Sequence, residues 1–220
     1  IDFRLAKGHV ASLSGDYDRA LGAYEESLAY ASTDSLRSVV WGMIGDTWHL
    51  KATEGVTDWD ERMDLGTIKP TAVFRKGMKR CYSAYERSLR YDPDNTMVLN
   101  NYAYFLSVEG RDLERALAMS SRVVALEDDN PTYLDTHAWV LHKLGRTDEA
   151  KKIQQRAVVL DGQKSPSLLA HYGDMLHALG EQFMAEIYWR QALEKGYDPA
   201  LIEPRLKQPA ADRNSEKTSR

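Results

Sequence analysis

The residues of this sequence that could bind a metal ion or act as acid–base groups are its six histidines. His137 and His142 are five residues apart, and His171 and His177 are six apart. Neither pair has the four-residue spacing that places two metal ligands on one face of a helix. We therefore interpret the histidines as packed or solvated imidazoles.

An acidic run that begins at Asp58 has the residue types of a calcium-binding loop without its pattern. Counted from Asp58, the sixth position holds Met63 and the twelfth holds Lys69. Calcium loops of this kind require glycine at the sixth position and a bidentate glutamate at the twelfth. The run is therefore interpreted as a solvated acidic turn.

The sequence also lacks the motifs of nucleophilic catalysis and of cofactor binding. The single cysteine, Cys81, excludes an intrachain disulfide and occupies a packing position, where a thiol behaves as a small apolar group. The sequence contains no dinucleotide-binding glycine motif, no phosphate-binding Walker loop, no zinc-protease motif and no serine-hydrolase elbow. We predict that the chain is not an enzyme and binds neither a cofactor nor a metal.

The elements that position these residues follow a repeat of about 35 residues. Gly110, Gly145 and Gly180 are 35 residues apart, and each follows an apolar helical stretch. Prolines recur with similar spacing at Pro93, Pro131, Pro166 and Pro199. Such a period indicates stacked units, each formed by two helices.

Each of five units has three positions that favour a small side chain. Of these fifteen residues, fourteen are Gly, Ala, Ser or Cys, where about four would be expected by chance. Two antiparallel helices approach closely only where the facing side chains are small. The fifteen positions are Gly8, Ala20, Ser27, Gly45, Cys81, Ser88, Ala103, Ala116, Val123, Ala138, Ala150, Ala157, Gly173, Ala185 and Ala192.

These units resemble the tetratricopeptide repeat (TPR) family. The motifs that carry the resemblance are Trp41-x2-Ile44-Gly45-x2-Trp48, Ala20-x3-Tyr24 and Pro93. The runs 100–107, 133–139 and 171–174 are similar to TPR proteins of Gram-negative bacteria. The resemblance implies an all-α, right-handed α-solenoid of about five TPR helix hairpins.

We expect a single TPR solenoid over residues 1–207 and a disordered tail over residues 208–220. The expected repeats are 1–34, 35–95, 96–130, 131–165 and 166–199, followed by a short terminal helix at 199–206. The second repeat contains an insertion at 53–70, which either folds over one end of the groove or pads the surface. Because Phe3 and Leu5 begin the first repeat without a polar cap, we expect further repeats or a linker before Ile1.

In TPR proteins, one stripe of each first helix lines the concave surface. The resemblance therefore implies a partner-binding groove in which Tyr104 and Trp139 combine rigid aromatic area with polar atoms. Packing in the seam between repeats is the alternative role for these two rings. The ten groove residues, called the stripe below, are Asp46, His49, Asn100, Tyr104, Asp135, Trp139, His142, Lys143, Asp174 and His177.

The stripe predicts the class of ligand. The best-known TPR binding mode holds a C-terminal carboxylate with lysine, arginine and asparagine, and here only Asn100 and Lys143 are of these types. Asp46, Asp135 and Asp174 would repel a carboxylate, so we expect a neutral or basic peptide segment of another protein. A small-molecule or glycan receptor that uses the same groove, or a regulatory arm of a longer protein, is the alternative.

Composition excludes several other classes. The 220 residues carry a formal net charge of -4, which gives no overall positive field for nucleic acid. No apolar run is long enough for a transmembrane segment. Because numbering begins at Ile1, the sequence leaves the compartment open. The narrower likeness favours the bacterial periplasm or envelope over the cytoplasm.

Overall fold

The structure is a computed structural model that describes residues 2–207, and all regular structure in this range is helical. Ile1 and the predicted disordered tail, residues 208–220, lie outside the described residues. The helices are α1 (Asp2–Leu13), α2 (Tyr17–Leu28), α3 (Asp34–Ala52), α4 (Trp59–Asp64), α5 (Ala72–Tyr91), α6 (Thr96–Val108), α7 (Leu113–Leu126), α8 (Pro131–Lys143), α9 (Thr147–Asp161), α10 (Pro166–Ala178), α11 (Gln182–Glu194) and α12 (Pro199–Lys207).

The chain divides into two compact units. Unit 1 is Ile1–Arg111 and contains α1 to α6, while unit 2 is Asp112–Arg220 and contains α7 to α12. The helices α6 and α7 of the predicted repeat 96–130 therefore fall in different units. The single continuous solenoid over 1–207 stays a prediction.

Several helices begin at a residue whose side chain caps the first turn. The hydroxyl of Thr33 accepts a hydrogen bond from the backbone N–H of Leu36 at 3.2 Å, and Thr71 accepts one from Phe74 at 3.0 Å. Such caps satisfy N–H groups that have no partner within the helix. Pro131 begins α8, where its missing N–H removes no helical hydrogen bond.

Glycine closes the turns between paired helices. Gly145, between α8 and α9, has a φ of +79°, a conformation that side chains with a Cβ rarely adopt. Its N–H donates to the carbonyl of His142 at 2.9 Å, and the N–H of Arg146 donates to that of Leu141 at 2.9 Å. Corresponding glycines with positive φ are Gly15, Gly110 and Gly180.

The small positions of the repeat are the contact points between helices. All fifteen are buried. A Cβ placed on Gly45 of α3 would lie 2.4 Å from Cε1 of Tyr85 on α5, and one on Gly173 of α10 would lie 2.4 Å from Cδ1 of Trp189 on α11. The missing Cβ is thus what allows a large ring of the second helix to pack against the backbone of the first.

The insertion between α3 and α5 contains the short helix α4. Trp59 on α4 is buried and stacks on Phe74 of α5, with ring centroids 5.0 Å apart. The backbone carbonyl of Thr57 accepts a hydrogen bond from Nε of Arg62 at 3.0 Å. The insertion is therefore packed into unit 1 through an aromatic pair.

None of the helices within residues 2–207 combines the length and the apolar character that crossing a bilayer requires.

Candidate protein-binding surface

In unit 1, Asp46 on α3 accepts hydrogen bonds from two neighbouring side chains. It accepts hydrogen bonds from the hydroxyl of Tyr85 and, at 3.1 Å, from Nδ2 of Asn101. Burial raises the pKa of the Asp46 carboxyl above its ordinary value, and the two hydrogen bonds partly oppose this effect because they favour the carboxylate. Asp46 is therefore held in place by its own unit.

His49, one turn further along α3, is covered by the insertion. Its Nε2 lies 3.2 Å from Oδ1 of Asp60 on α4, and its ring stacks on Phe105 of α6 at 3.9 Å between centroids. Through Asp60 the insertion contacts one stripe residue of unit 1, and the role of residues 53–70 stays a prediction.

Asn100 and Tyr104 lie one turn apart on α6. Asn100 is 6% exposed, and its Nδ2 donates to Oδ1 of Asn101 at 3.3 Å. Its own Oδ1 is buried and has no hydrogen-bond partner among the residues that the structure describes. Tyr104 is partly exposed, with its ring 6.0 Å from that of Phe105.

In unit 2, Asp135 on α8 belongs to a buried polar cluster. It accepts hydrogen bonds from Nε2 of Gln154 on α9 at 2.5 Å and from Nδ1 of His171 on α10 at 2.9 Å. Gln154 also donates to the carbonyl of Leu168 at 3.0 Å. Asp135 thus links the three helices of its neighbourhood through its carboxylate.

Trp139 lies one turn from Asp135 and is also buried, with 4% exposure. Its ring stacks on His171 at 4.2 Å between centroids, and Lys143 Nζ lies 5.9 Å from the centre of the Trp139 ring. His142 is partly exposed, and its Nδ1 lies 3.1 Å from the hydroxyl of Thr147. The packing role left open for Trp139 in the sequence is therefore the one that its contacts support.

Asp174 on α10 binds the terminal helix. Nε and Nη2 of Arg205 on α12 donate to its two carboxylate oxygens at 2.8 and 2.7 Å, and Nε1 of Trp189 donates at 3.0 Å. One turn later, Nδ1 of His177 lies 2.5 Å from Oε1 of Gln182. Asp174 is a bidentate partner of arginine rather than an unpaired charge.

The three stripe aspartates, which the sequence analysis expects to repel a carboxylate, each accept hydrogen bonds from their own unit. The physical reason is burial, because a carboxylate that loses water must gain donors in the fold. Whether the stripe binds a partner stays a prediction.

The stripe also depends on residues that the sequence reasoning missed, namely Tyr85, Gln154, His171 and Arg205. Gln154 had a detectable signal, because it stands between Ala150 and Ala157 in a register of buried positions and is 0% exposed. A polar residue in such a register requires an internal partner. Its identity depends on a residue far away in the sequence.

Cys81 is buried at the contact of α3 and α5. Burial raises the pKa of its thiol well above the ordinary value, which keeps it protonated and unreactive. This supports the packing role expected from the sequence.

The comparisons with known proteins concern the fold. Residues 132–164 match the sequence model of the tetratricopeptide repeat family. No curated protein matches the sequence significantly. Among solved structures, Pseudomonas aeruginosa pilF is 17% identical with a TM-score of 0.68, and the match covers 91% of this chain and 78% of that chain.

Two further structures are similar over nearly the whole chain. MamA from Desulfovibrio magneticus RS-1 is 14% identical with a TM-score of 0.62, covering 94% of this chain and 97% of that chain. YrrB, described as a TPR protein with an unusual peptide-binding site, is 16% identical with a TM-score of 0.60, covering 93% and 91%. The predicted all-α fold and the resemblance are thus confirmed: the chain carries a tetratricopeptide repeat at residues 132–164 and has the fold of TPR proteins.

Proposed function

We propose that this chain is a non-catalytic protein-interaction scaffold that binds a peptide segment of another protein with the stripe residues of its units. The TPR fold supports a protein partner. YrrB, a protein with the same fold, is described as having a peptide-binding site, which supports a peptide as the ligand class.

The observation that carries this proposal is that the stripe side chains are held by partners from their own units. Thr147 contacts His142, Gln182 contacts His177, and Trp139 lies beneath Lys143. Side chains that are ordered before binding lose little conformational entropy when a ligand arrives. A partly exposed set of ordered polar groups is therefore suited to recognition.

The pairing of the aspartates narrows the ligand class. Arg205 neutralises Asp174, and Asp135 is buried against His171. A basic ligand would have to compete with these partners, whereas a neutral peptide would not. Of the two ligand classes expected from the sequence, we propose the neutral one.

The glycan alternative has less support from the contacts. It requires an aromatic ring face that a sugar can cover, and Trp139 is 4% exposed with His171 stacked on its ring. We therefore retain the peptide-binding proposal, with the bacterial envelope as the compartment in which we would first seek the partner.

The test is to select peptides from a random display library on the immobilised full chain and to measure the affinity of the dominant peptide by fluorescence anisotropy. We expect Tyr104→Ala/Lys143→Ala to weaken binding by about tenfold, as for the loss of an interface anchor. Val159→Ala on α9, at a residue 68% exposed and outside the stripe, is the control and should change nothing. Unchanged binding by the stripe variant, with intact helicity, would refute the proposal.

A further inference from the structure

Positive charge is concentrated on one helix of an acidic chain. The sequence of α5 contains six basic residues and one acidic residue, although the whole protein has a net charge of -4. All six basic residues, which include Lys76, Arg80 and Arg87, are exposed. The one acidic residue, Glu86, accepts a hydrogen bond from Tyr102 of α6 at 2.9 Å.

Two arginines of α5 stack on tryptophans of α3. The guanidinium carbon of Arg80 lies 4.4 Å from the ring centre of Trp48, and that of Arg87 lies 4.5 Å from the ring centre of Trp41. Trp41 and Trp48 are seven residues apart on α3, and Arg80 and Arg87 are seven residues apart on α5. The two arginine–tryptophan pairs therefore lie on the same side of the α3/α5 hairpin, about two helical turns apart. We call these four residues the Arg–Trp ladder.

The ladder leaves its guanidinium groups available. Within residues 2–207, Lys76, Arg80 and Arg87 have no carboxylate within ion-pair distance. The contact with a ring restrains the position of each guanidinium. An arginine fork has N–H donors that suit bidentate binding of a carboxylate. The guanidinium groups of Arg80 and Arg87 can therefore bind an anion from another molecule.

A cavity of about 400 Å³ adjoins the ladder between α3 and α5. Its apolar lining includes Trp48, Ala52 and Val73, and Val73 is 71% exposed. Glu54 and Lys51 also line the cavity. Lys51 is paired with Asp18 of α2. The cavity can therefore hold an apolar side chain next to the unpaired charges of the ladder.

We propose that the Arg–Trp ladder is a second docking surface, which binds an acidic polypeptide segment of a partner protein. The two guanidinium groups are about 10 Å apart along α5. Carboxylates with that spacing occur three residues apart in an extended polyproline II segment and seven apart in a helix. An apolar residue beside the first carboxylate occupies the cavity at Val73.

Nucleic acid fits this surface less well. Proteins that bind single strands stack bases on open aromatic rings, and here a guanidinium group lies over one face of Trp41 and one face of Trp48. The negative net charge of the chain also weakens attraction to a polyanion. A short acidic peptide needs only the local charge of α5.

The experiment selects a random peptide library on three forms of the full chain: wild type, Arg80→Gln/Arg87→Gln and Arg75→Gln/Lys79→Gln. The third form removes the same charge from the same helix at residues that do not stack on tryptophan. We expect peptides with two acidic residues at the proposed spacing to be enriched on wild type and on the control form, Arg75→Gln/Lys79→Gln. They should be absent from the pool selected on the ladder form, Arg80→Gln/Arg87→Gln.

The dominant acidic peptide is then measured by anisotropy, beside its glutamine counterpart and a 12-nucleotide oligothymidine. We expect the ladder form to lose about tenfold or more in affinity for the acidic peptide, and the control form to lose less than about threefold. Absence of acidic enrichment on wild type, an equal loss in the control form, or oligothymidine binding as tight as the acidic peptide would overturn the proposal. Tyr104→Ala/Lys143→Ala, which tests the stripe, should leave this binding unchanged, so the two proposals fail separately.

Discussion

Arg205 in unit 2 and Arg80 in unit 1 show two different uses of an arginine side chain. The Arg205 side chain is 9% exposed and bonds both oxygens of Asp174. Arg80 is exposed and lies over the ring of Trp48, and no carboxylate of residues 2–207 lies within ion-pair distance of it. A buried cation must have an anion because it has lost its water. A surface cation can be ordered by an aromatic ring and still keep its hydrogen-bond donors for another molecule.

The comparison teaches that charge on this protein has two separate roles. In the stripe, charged groups hold helices together, and their removal should cost stability. On the Arg–Trp ladder, charged groups contribute little to the fold, and their removal should cost binding.

We expect Arg205→Ala to lower the free energy of unfolding by about 3 kcal/mol, because it leaves the Asp174 carboxylate buried without its cation. The control is Arg190→Ala. Arg190 forms an ion pair with Glu186, and the two side chains are 62% and 40% exposed, respectively. This pair should contribute less than about 0.5 kcal/mol to the free energy of unfolding. Chemical denaturation of the full chain, followed by circular dichroism, measures both changes. Equal losses would show that Asp174 and Arg205 are no more structural than a surface pair.

Gln154→Leu should lower the free energy of unfolding by about 1–3 kcal/mol, since Asp135 and the carbonyl of Leu168 each lose a buried donor. Gln155→Leu places the same side chain at an exposed neighbouring position on α9 and should change little. The same denaturation experiment compares them. If Gln154→Leu were as stable as the wild type, the polar cluster around Asp135 would not be a stabilising link between helices.

Arg80→Gln/Arg87→Gln should have the smallest effect on stability, within about 1 kcal/mol, because exposed cation–π contacts are weak. The same variant is expected to lose its acidic peptide, as stated above for the Arg–Trp ladder. Thermal unfolding and peptide binding, measured on one preparation, test both parts. A large loss of stability would mean that the ladder is structural, like Arg205, and would remove the contrast.

The fold was predictable because the constraint behind it is local and repeated. Small residues such as Gly173 and Ala185 recur where two helices touch, and one repeat of sequence shows the pattern that all repeats obey. Trp189 fills the space above Gly173, so the contact has a direct sequence signature on both helices.

The candidate site was less predictable because its partners are distant in sequence. His171 reaches Asp135 from two helices further along, and Arg205 reaches Asp174 from the terminal helix. Helical spacing assigns a residue to a face but does not say which side chain will meet it across the interface. Asp135 and Asp174 were therefore placed on the stripe without the donors that neutralise them.

The positive charge of α5 can be counted in the sequence, but the net charge of the whole chain does not show it. The net charge of -4 describes the whole chain, whereas six of the basic residues lie within Ala72–Tyr91. Counting charge helix by helix would have indicated a basic surface. The stacking of Arg87 on Trp41 could not have been found in this way, since it depends on how α3 and α5 are paired.

The insertion has a consequence for the order in which the hairpins form. The helices α8 and α9 are joined through residues 144–146, whereas α3 and α5 must close a loop over residues 53–71. Closing the longer loop costs about 1–2 kcal/mol more in chain entropy, and contacts between distant residues form more slowly. Trp59, by stacking on Phe74, shortens the free part of this loop only after α5 is in place. When the full-length chain refolds, the hairpin that carries the Arg–Trp ladder should therefore assemble more slowly than the hairpin that carries Asp135, so the proposed second docking surface would form late.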